Sequence, residues 1–258
     1  MIDKTRDGHI HTPFCPHGSQ DSFEKYIEEA LKCGRKEISF TEHFPMPNHV
    51  TTKAFQEECA LREDLVIPYL QAVKVVKEQY AHQIKINVGF EVDYIEGKEK
   101  EIAALLNKYG EEIEDSLLSV HFVKYEDKYY AIDYLPEFKA LLEAVGSIEK
   151  VYDIYFNTVL KSIKADLGAF KPKRIGHPTL VRIFHKKYPC EYKQNELLEK
   201  IIEAVAQEEY EIDYNVAGLR KPYCGETYPS GKLLELILAR NIKMIYGTDA
   251  HNSKDIKS

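Results

Sequence analysis

Between residues 22 and 33 the apolar side chains fall at Phe23, Tyr26, Ile27, Ala30 and Leu31. That 3-1-3-1 spacing places them on one face of a helix. Asp21 with Glu24 resembles a capping box, and Gly34 suits the C-terminal cap. Ser147 to about Lys164 repeats the pattern through Ile148, Val151, Tyr152, Tyr155, Phe156, Val159 and Leu160. Further helices are expected up to Tyr80 after a break at Pro68, and over Gly97–Tyr109, Asn195–Ala206 and Ser230–Arg240. Between them lie short runs that read as strands: Asp7–His11, Ile38–Thr41, Ile84–Val92, Ser116–Phe122, Arg174–Gly176, Glu211–Val216 and Ile242–Gly247. Residues 124–146 read as an irregular excursion with a short helix. Strands alternating with helices imply βα units and a parallel sheet. Seven strands suit a barrel or an open doubly wound sheet, and the pattern does not choose between them.

Composition narrows the partners. Against 35 Lys and Arg stand 42 Asp and Glu, a net charge of −7, so the basic face needed for nucleic acid is not expected. An anionic substrate stays possible, because bound cations reverse the local sign. The five cysteines are odd in number and widely spaced, which argues against a disulfide framework. The first seven residues carry no apolar stretch and no run of 18 apolar residues exists, so neither signal peptide nor membrane span is expected. The expected compartment is the cytosol. No repeat or linker divides the chain, and one domain over 1–258 is expected.

The chemistry lies where predicted strands end. His9 and His11 close the first strand, Glu42 and His43 the second, and Glu91 and Asp93 the third. His121 lies near the end of the fourth, His177 ends the fifth, Asn215 the sixth, and Asp249 and His251 follow the seventh. In an α/β barrel the C-terminal strand ends share one face, and that face carries the active site. His9 and His11, two apart on a strand, point the same way and can share an ion. Imidazole and carboxylate donors without thiolate suit Zn, Mn, Fe or Ni. The donors are too many for one ion; two or three fit, and ions roughly 3.5–4 Å apart clamp the attacking and leaving oxygens of phosphoryl chemistry. His49, His82 and His185 lie off the strand ends and are read as ordinary loop or helix residues. Cys15 is read as a small packed residue, since a thiolate among imidazoles would make a softer site.

These residues resemble the PHP (polymerase and histidinol phosphatase) superfamily. The resemblance is carried by Asp7-Gly8-His9-Ile10-His11-Thr12, Thr41-Glu42-His43, Gly89-Phe90-Glu91, Ser119-Val120-His121, Gly176-His177-Pro178 and Gly247-Thr248-Asp249-Ala250-His251, in that order. HTPFCPHG at 11–18 and the segment Asn215–Pro229 are similar to its histidinol-phosphate phosphatase branch. The resemblance implies an α/β fold, a distorted (β/α)7 TIM-like barrel with a metal cluster at the C-terminal face of the strands. It implies three divalent ions (Zn, Mn or Fe): one held by His9, His11, Glu91 and Asp249, a second by His17, His43 and His251, and a third by Glu91, His121 and His177, with Glu91 bridging. It also implies hydrolysis of L-histidinol phosphate, a small phosphorylated metabolite, by attack of a metal-bridging hydroxide. Arg182 and Arg220 are expected to clamp the phosphate. Asp249 or His251 is expected to protonate the leaving group, and Glu42 to orient a ligand from behind rather than bind metal. A closing helix would normally follow His251, and here it is expected to be short or missing. Two rivals remain: a phosphoesterase of other specificity, and a PHP-like domain that binds metal without turnover. The sequence gives no oligomeric state.

Overall fold

A computed structural model describes residues 2–257. Seven parallel strands form one sheet in the order β1-β2-β3-β4-β7-β8-β9. They are β1 (Arg6–Ile10), β2 (Glu37–His43), β3 (Lys85–Asp93), β4 (Leu117–Ser119), β7 (Arg174–Ile175), β8 (Glu211–Asn215) and β9 (Met244–Gly247). The edge strands meet. Asp249 N donates to His9 O at 2.7 Å and His11 N to Ala250 O at 3.1 Å, so the sheet curls into a nearly closed barrel. β5 (Phe122–Tyr125) and β6 (Lys128–Ala131) form a separate antiparallel hairpin after β4.

Helices cover the barrel: α1 (Phe23–Lys32), α2 (Lys53–Cys59), α3 (Val66–Gln79), α4 (Glu99–Tyr109), α5 (Leu135–Val145), α6 (Ile148–Lys164), α7 (Asn195–Gln207) and α8 (Gly231–Ala239). α1 buries Phe23, Tyr26, Ile27 and Ala30, the face its spacing predicts. Its cap differs: Ser22 takes the N-cap position, while the Asp21 carboxylate accepts from Ser253 Oγ at 2.7 Å and Lys25 Nζ at 2.8 Å. Pro68 is not a break. It sits in the first turn of α3, where an N–H has no helical acceptor to lose.

Residues 124–146 are more regular than expected, comprising most of the hairpin and the eleven-residue α5. The hairpin turn passes through Glu126 at φ 55°, so it lacks the glycine that usually signals such a turn. Helix α2 buries no residue, which left no apolar stripe to read. After β9 comes a short helical turn, Ser253–Lys257. Ile256 is fully buried there, and Lys257 reaches Glu29 of α1 at 3.1 Å.

At the end of the barrel away from the strand tips, Asp115 pairs with Arg6 at 2.9 Å and with buried Arg174 at 3.1 Å. Gly89 in β3 lets this segment approach: a Cβ there would lie 1.5 Å from the Asp115 carbonyl oxygen. A backbone atom cannot swing away as a side chain would. Gly89→Ala is expected to cost about 3 kcal/mol and lower the melting temperature by roughly 6–12 °C, read by thermal unfolding.

Candidate metal centre

The strand tips converge as the barrel requires. His9 and His11 are completely buried at the end of β1. Above them a cleft of about 390 Å³ is lined by His17, His43, Glu91, His121, His177, Asp249, His251 and Arg220, among others. Glu91 stands at the middle. Its Oε2 lies 3.5 Å from Nε2 of both His9 and His11 and 3.3 Å from His43 Nδ1. Its Oε1 lies 2.7 Å from His177 Nε2 and 3.7 Å from His121 Nε2. Asp249 Oδ1 approaches His11 Nε2 at 3.2 Å and His9 Nε2 at 3.8 Å.

Three sets of donor atoms fall within 4.8 Å of one another: His9, His11 and Asp249; Glu91, His121 and His177; and His11, Cys15, His43 and His251. The second has the members of one group expected from the resemblance, and the first has three of the four members of another, without Glu91. The third differs, because His11 and Cys15 enter it and His17 does not. His17 is exposed at the rim, its ring 5.0 Å from that of His43 and 4.8 Å from that of His251. His49 and His82 are exposed, and His185 bonds the Cys224 carbonyl at 2.9 Å.

Behind the rings lies a layer of acceptors. His9 Nδ1 meets Asp213 Oδ2 at 2.9 Å, His11 Nδ1 meets Glu42 Oε1 at 3.2 Å and His121 Nδ1 meets Asp93 Oδ1 at 2.7 Å. Carbonyls of Glu58 and Asp249 take Nδ1 of His17 and His251 at 2.8 and 3.1 Å. Holding Nδ1 this way turns Nε2 inward and fixes its lone pair toward the centre. The inward nitrogens have nothing to bond: Nε2 of His9, His11, His43 and His251 is buried without a hydrogen-bond partner. Four orphaned acceptor-type nitrogens beside two carboxylates are the donor set a divalent cation satisfies.

Charge agrees. Burial would raise the Glu91 carboxyl, but His9, His121 and the His177 bond outweigh it and hold it well below the usual range. Asp249 is likewise held low against burial, chiefly by His9 and His11. Burial disfavours protonated His9, yet Glu91, Asp249 and Asp213 push it up to about 10. His43 and His251 go the other way, driven well below the ordinary value by burial and by His11. The carboxylates therefore draw positive charge to the floor of the cleft. Divalent ions supply that charge while leaving the imidazoles neutral to bind them.

Asp213 escaped the sequence reading. It is fully buried and also accepts from His177 N at 3.3 Å and Asn215 Nδ2 at 3.0 Å. The available signal was its place two residues before Asn215 on β8, which puts both on one face. Two candidate ligand positions bend the backbone into the left-handed region, His177 at φ 24° and Asp249 at φ 51°. The two arginines part company. Arg220 lines the cleft, its Nη2 anchored on the Thr248 and Asp249 carbonyls at 2.7 and 3.2 Å. Arg182 gives both arms of its fork to Glu226 at 2.8 and 2.9 Å and faces a separate depression beside Tyr192 and Ser230. Among the described residues, no helix is long and apolar enough to cross a membrane.

A barrel of parallel strands with imidazoles and carboxylates gathered at its C-terminal rim defines the class of α/β-barrel enzymes built for metal-assisted hydrolysis. Within that class the chain belongs to the PHP domain family, whose model matches residues 7–217. It is 42% identical to a histidinol-phosphatase of Bacillus subtilis over 256 residues, covering 97% of this chain and 95% of that protein. The structure of a Listeria monocytogenes protein assigned as a histidinol phosphatase superposes with a TM-score of 0.88 at 34% identity, covering 97% of each chain. The histidinol phosphate phosphatase of Lactococcus lactis, solved with zinc, L-histidinol and phosphate, shares the fold with a TM-score of 0.68 at 21% identity, covering 98% of this chain and 90% of that one.

Asp213→Asn keeps the shape but removes the charge behind His9. It is expected to weaken metal binding roughly 10–100-fold, read by competition with a chelator.

Proposed function

We propose that this chain is a histidinol-phosphatase, hydrolysing L-histidinol phosphate to L-histidinol and phosphate. The observation that carries the reading is the 42% identity to the Bacillus subtilis enzyme along nearly the whole of both chains. The position of Glu91 supports the chemistry, with one oxygen toward His9, His11 and His43 and the other toward His121 and His177. In this assignment His9, His11, Glu91 and Asp249 hold one ion, Glu91, His121 and His177 another, and His17, His43 and His251 a third. Bound ions, zinc by analogy with the Lactococcus lactis protein, supply an acidified water as nucleophile and neutralise phosphate charge.

The protein's own groups do the rest. Asp213, Glu42 and Asp93 hold the imidazoles in the tautomer that faces inward. Arg220, fixed by two backbone carbonyls at the cleft wall, takes the phosphate oxygens. Arg182 acts elsewhere: paired with Glu226, it ties the turn after β7 to the loop that carries Tyr228 into the cleft. Asp249 and His251 both line the cleft, and one of them protonates the leaving alkoxide.

Metal-loaded protein is expected to release phosphate from L-histidinol phosphate. Cleavage of other phosphate esters without that one would reject the substrate, and no cleavage at all would reject the enzyme. Glu91→Ala should lose two ions together by elemental analysis; loss of only one would deny it the bridging role. Arg220→Ala should raise KM roughly 10–100-fold with ion content unchanged, the effect of losing a charge-assisted hydrogen bond worth about 1.5–3 kcal/mol.

A further inference from the structure

Cys15 is buried to 2% exposure, yet it does not join the contiguous apolar core as buried Cys224 does. Its Sγ lies instead within 4.8 Å of a ring nitrogen of each of His11, His43 and His251. All three of those rings have an Nε2 that is buried and unpartnered. The loop is shaped to seat the thiol. Cys15 N bonds the Thr12 carbonyl at 3.0 Å, and Gly18 N bonds the Cys15 carbonyl at 3.3 Å. A Cβ on Gly18 would fall 3.0 Å from the Cys15 Cβ and 3.3 Å from its sulfur, so a side chain here would press on Cys15.

The ion positions are also unequal in charge. Those at His9, His11 and Asp249 and at Glu91, His121 and His177 each include a carboxylate among their closely spaced donors, whereas the group around His43 and His251 has none. The carboxylates nearest to it, Glu91 Oε2 at 3.3 Å from His43 Nδ1 and Asp249 Oδ1 at 3.4 Å from His251 Nδ1, already belong to the other two groups. With no charged donor of its own a divalent ion there would keep both positive charges, and a thiolate would halve them.

We propose that Cys15 Sγ is a ligand of the ion held by His17, His43 and His251. This rests on the metal-centre reading above and deepens it. The thiol proton passes to solvent as the ion enters, and a sulfur–metal bond forms. One position of the cluster is then softer than the other two and favours zinc or cobalt over manganese.

Cobalt(II)-loaded protein tests this without reference to turnover. The intact chain should show a near-ultraviolet thiolate-to-cobalt charge-transfer band. Cys15→Ala should abolish the band and lower cobalt content by about one ion per chain, whereas Cys59→Ala, at a cysteine lining the same cleft, should keep both. Zinc-edge X-ray absorption of the unaltered protein gives an answer that does not depend on a variant folding: a sulfur shell is expected at about 2.3 Å, amounting to one sulfur shared among the bound ions of each chain. Cobalt binding with no such band, a band that survives Cys15→Ala, or zinc with only nitrogen and oxygen neighbours would overturn the role of Cys15 alone. Failure to bind cobalt or zinc would overturn the centre itself.

Discussion

Two backbone hydrogen bonds, Asp249 N to His9 O and His11 N to Ala250 O, join the first strand to the chain just beyond the last. Everything at the rim depends on that closure. In an open sheet β1 and β9 would lie at opposite edges, and His9 and His11 would be far from Asp249 and His251. Closure sets them in one ring with His11 and His251 stacked at 3.9 Å between centroids. The same bonds bury His9 completely, and burial gives the neighbouring carboxylates their leverage, since charges interact more strongly away from water.

The rim is built in two depths. Donor atoms face inward, and acceptors stand behind them on the strands or on the loops just past them. Asp213 on β8 holds a ring from β1, and Glu42 on β2 holds another. These two orienting contacts are therefore also contacts between strands. A change in the outer layer disturbs both the barrel and the direction of a lone pair, so structure and chemistry are not separable at these positions.

Much of this was legible in the chain, because ligand chemistry at strand ends is a pattern of residue type and period. His121 and His177 stood out only in series with the others. What stayed hidden depended on contacts between distant segments. Asp213 reads as an ordinary polar residue in an alternating strand until His9 is placed against it. Arg182 looked equivalent to Arg220 by spacing, but Glu226 lies where only the folded loop can bring it. Helix α2 hides no apolar face and the β5–β6 turn uses Glu126, so neither offered a local signal. Cys15 was set aside on chemical grounds; the turn at Gly18 that aims it at the imidazoles cannot be read from composition.

His177 and Asp249 hold a backbone conformation that side chains other than glycine adopt at a cost. Glycine at either place would relax the chain and strip the centre of a donor. Selection for a sturdier fold and selection for a working rim thus pull in opposite directions at the same two residues. An ion held at that rim would offset such strain, because it would bind only the folded chain. Resistance to heat would then follow metal supply as well as sequence.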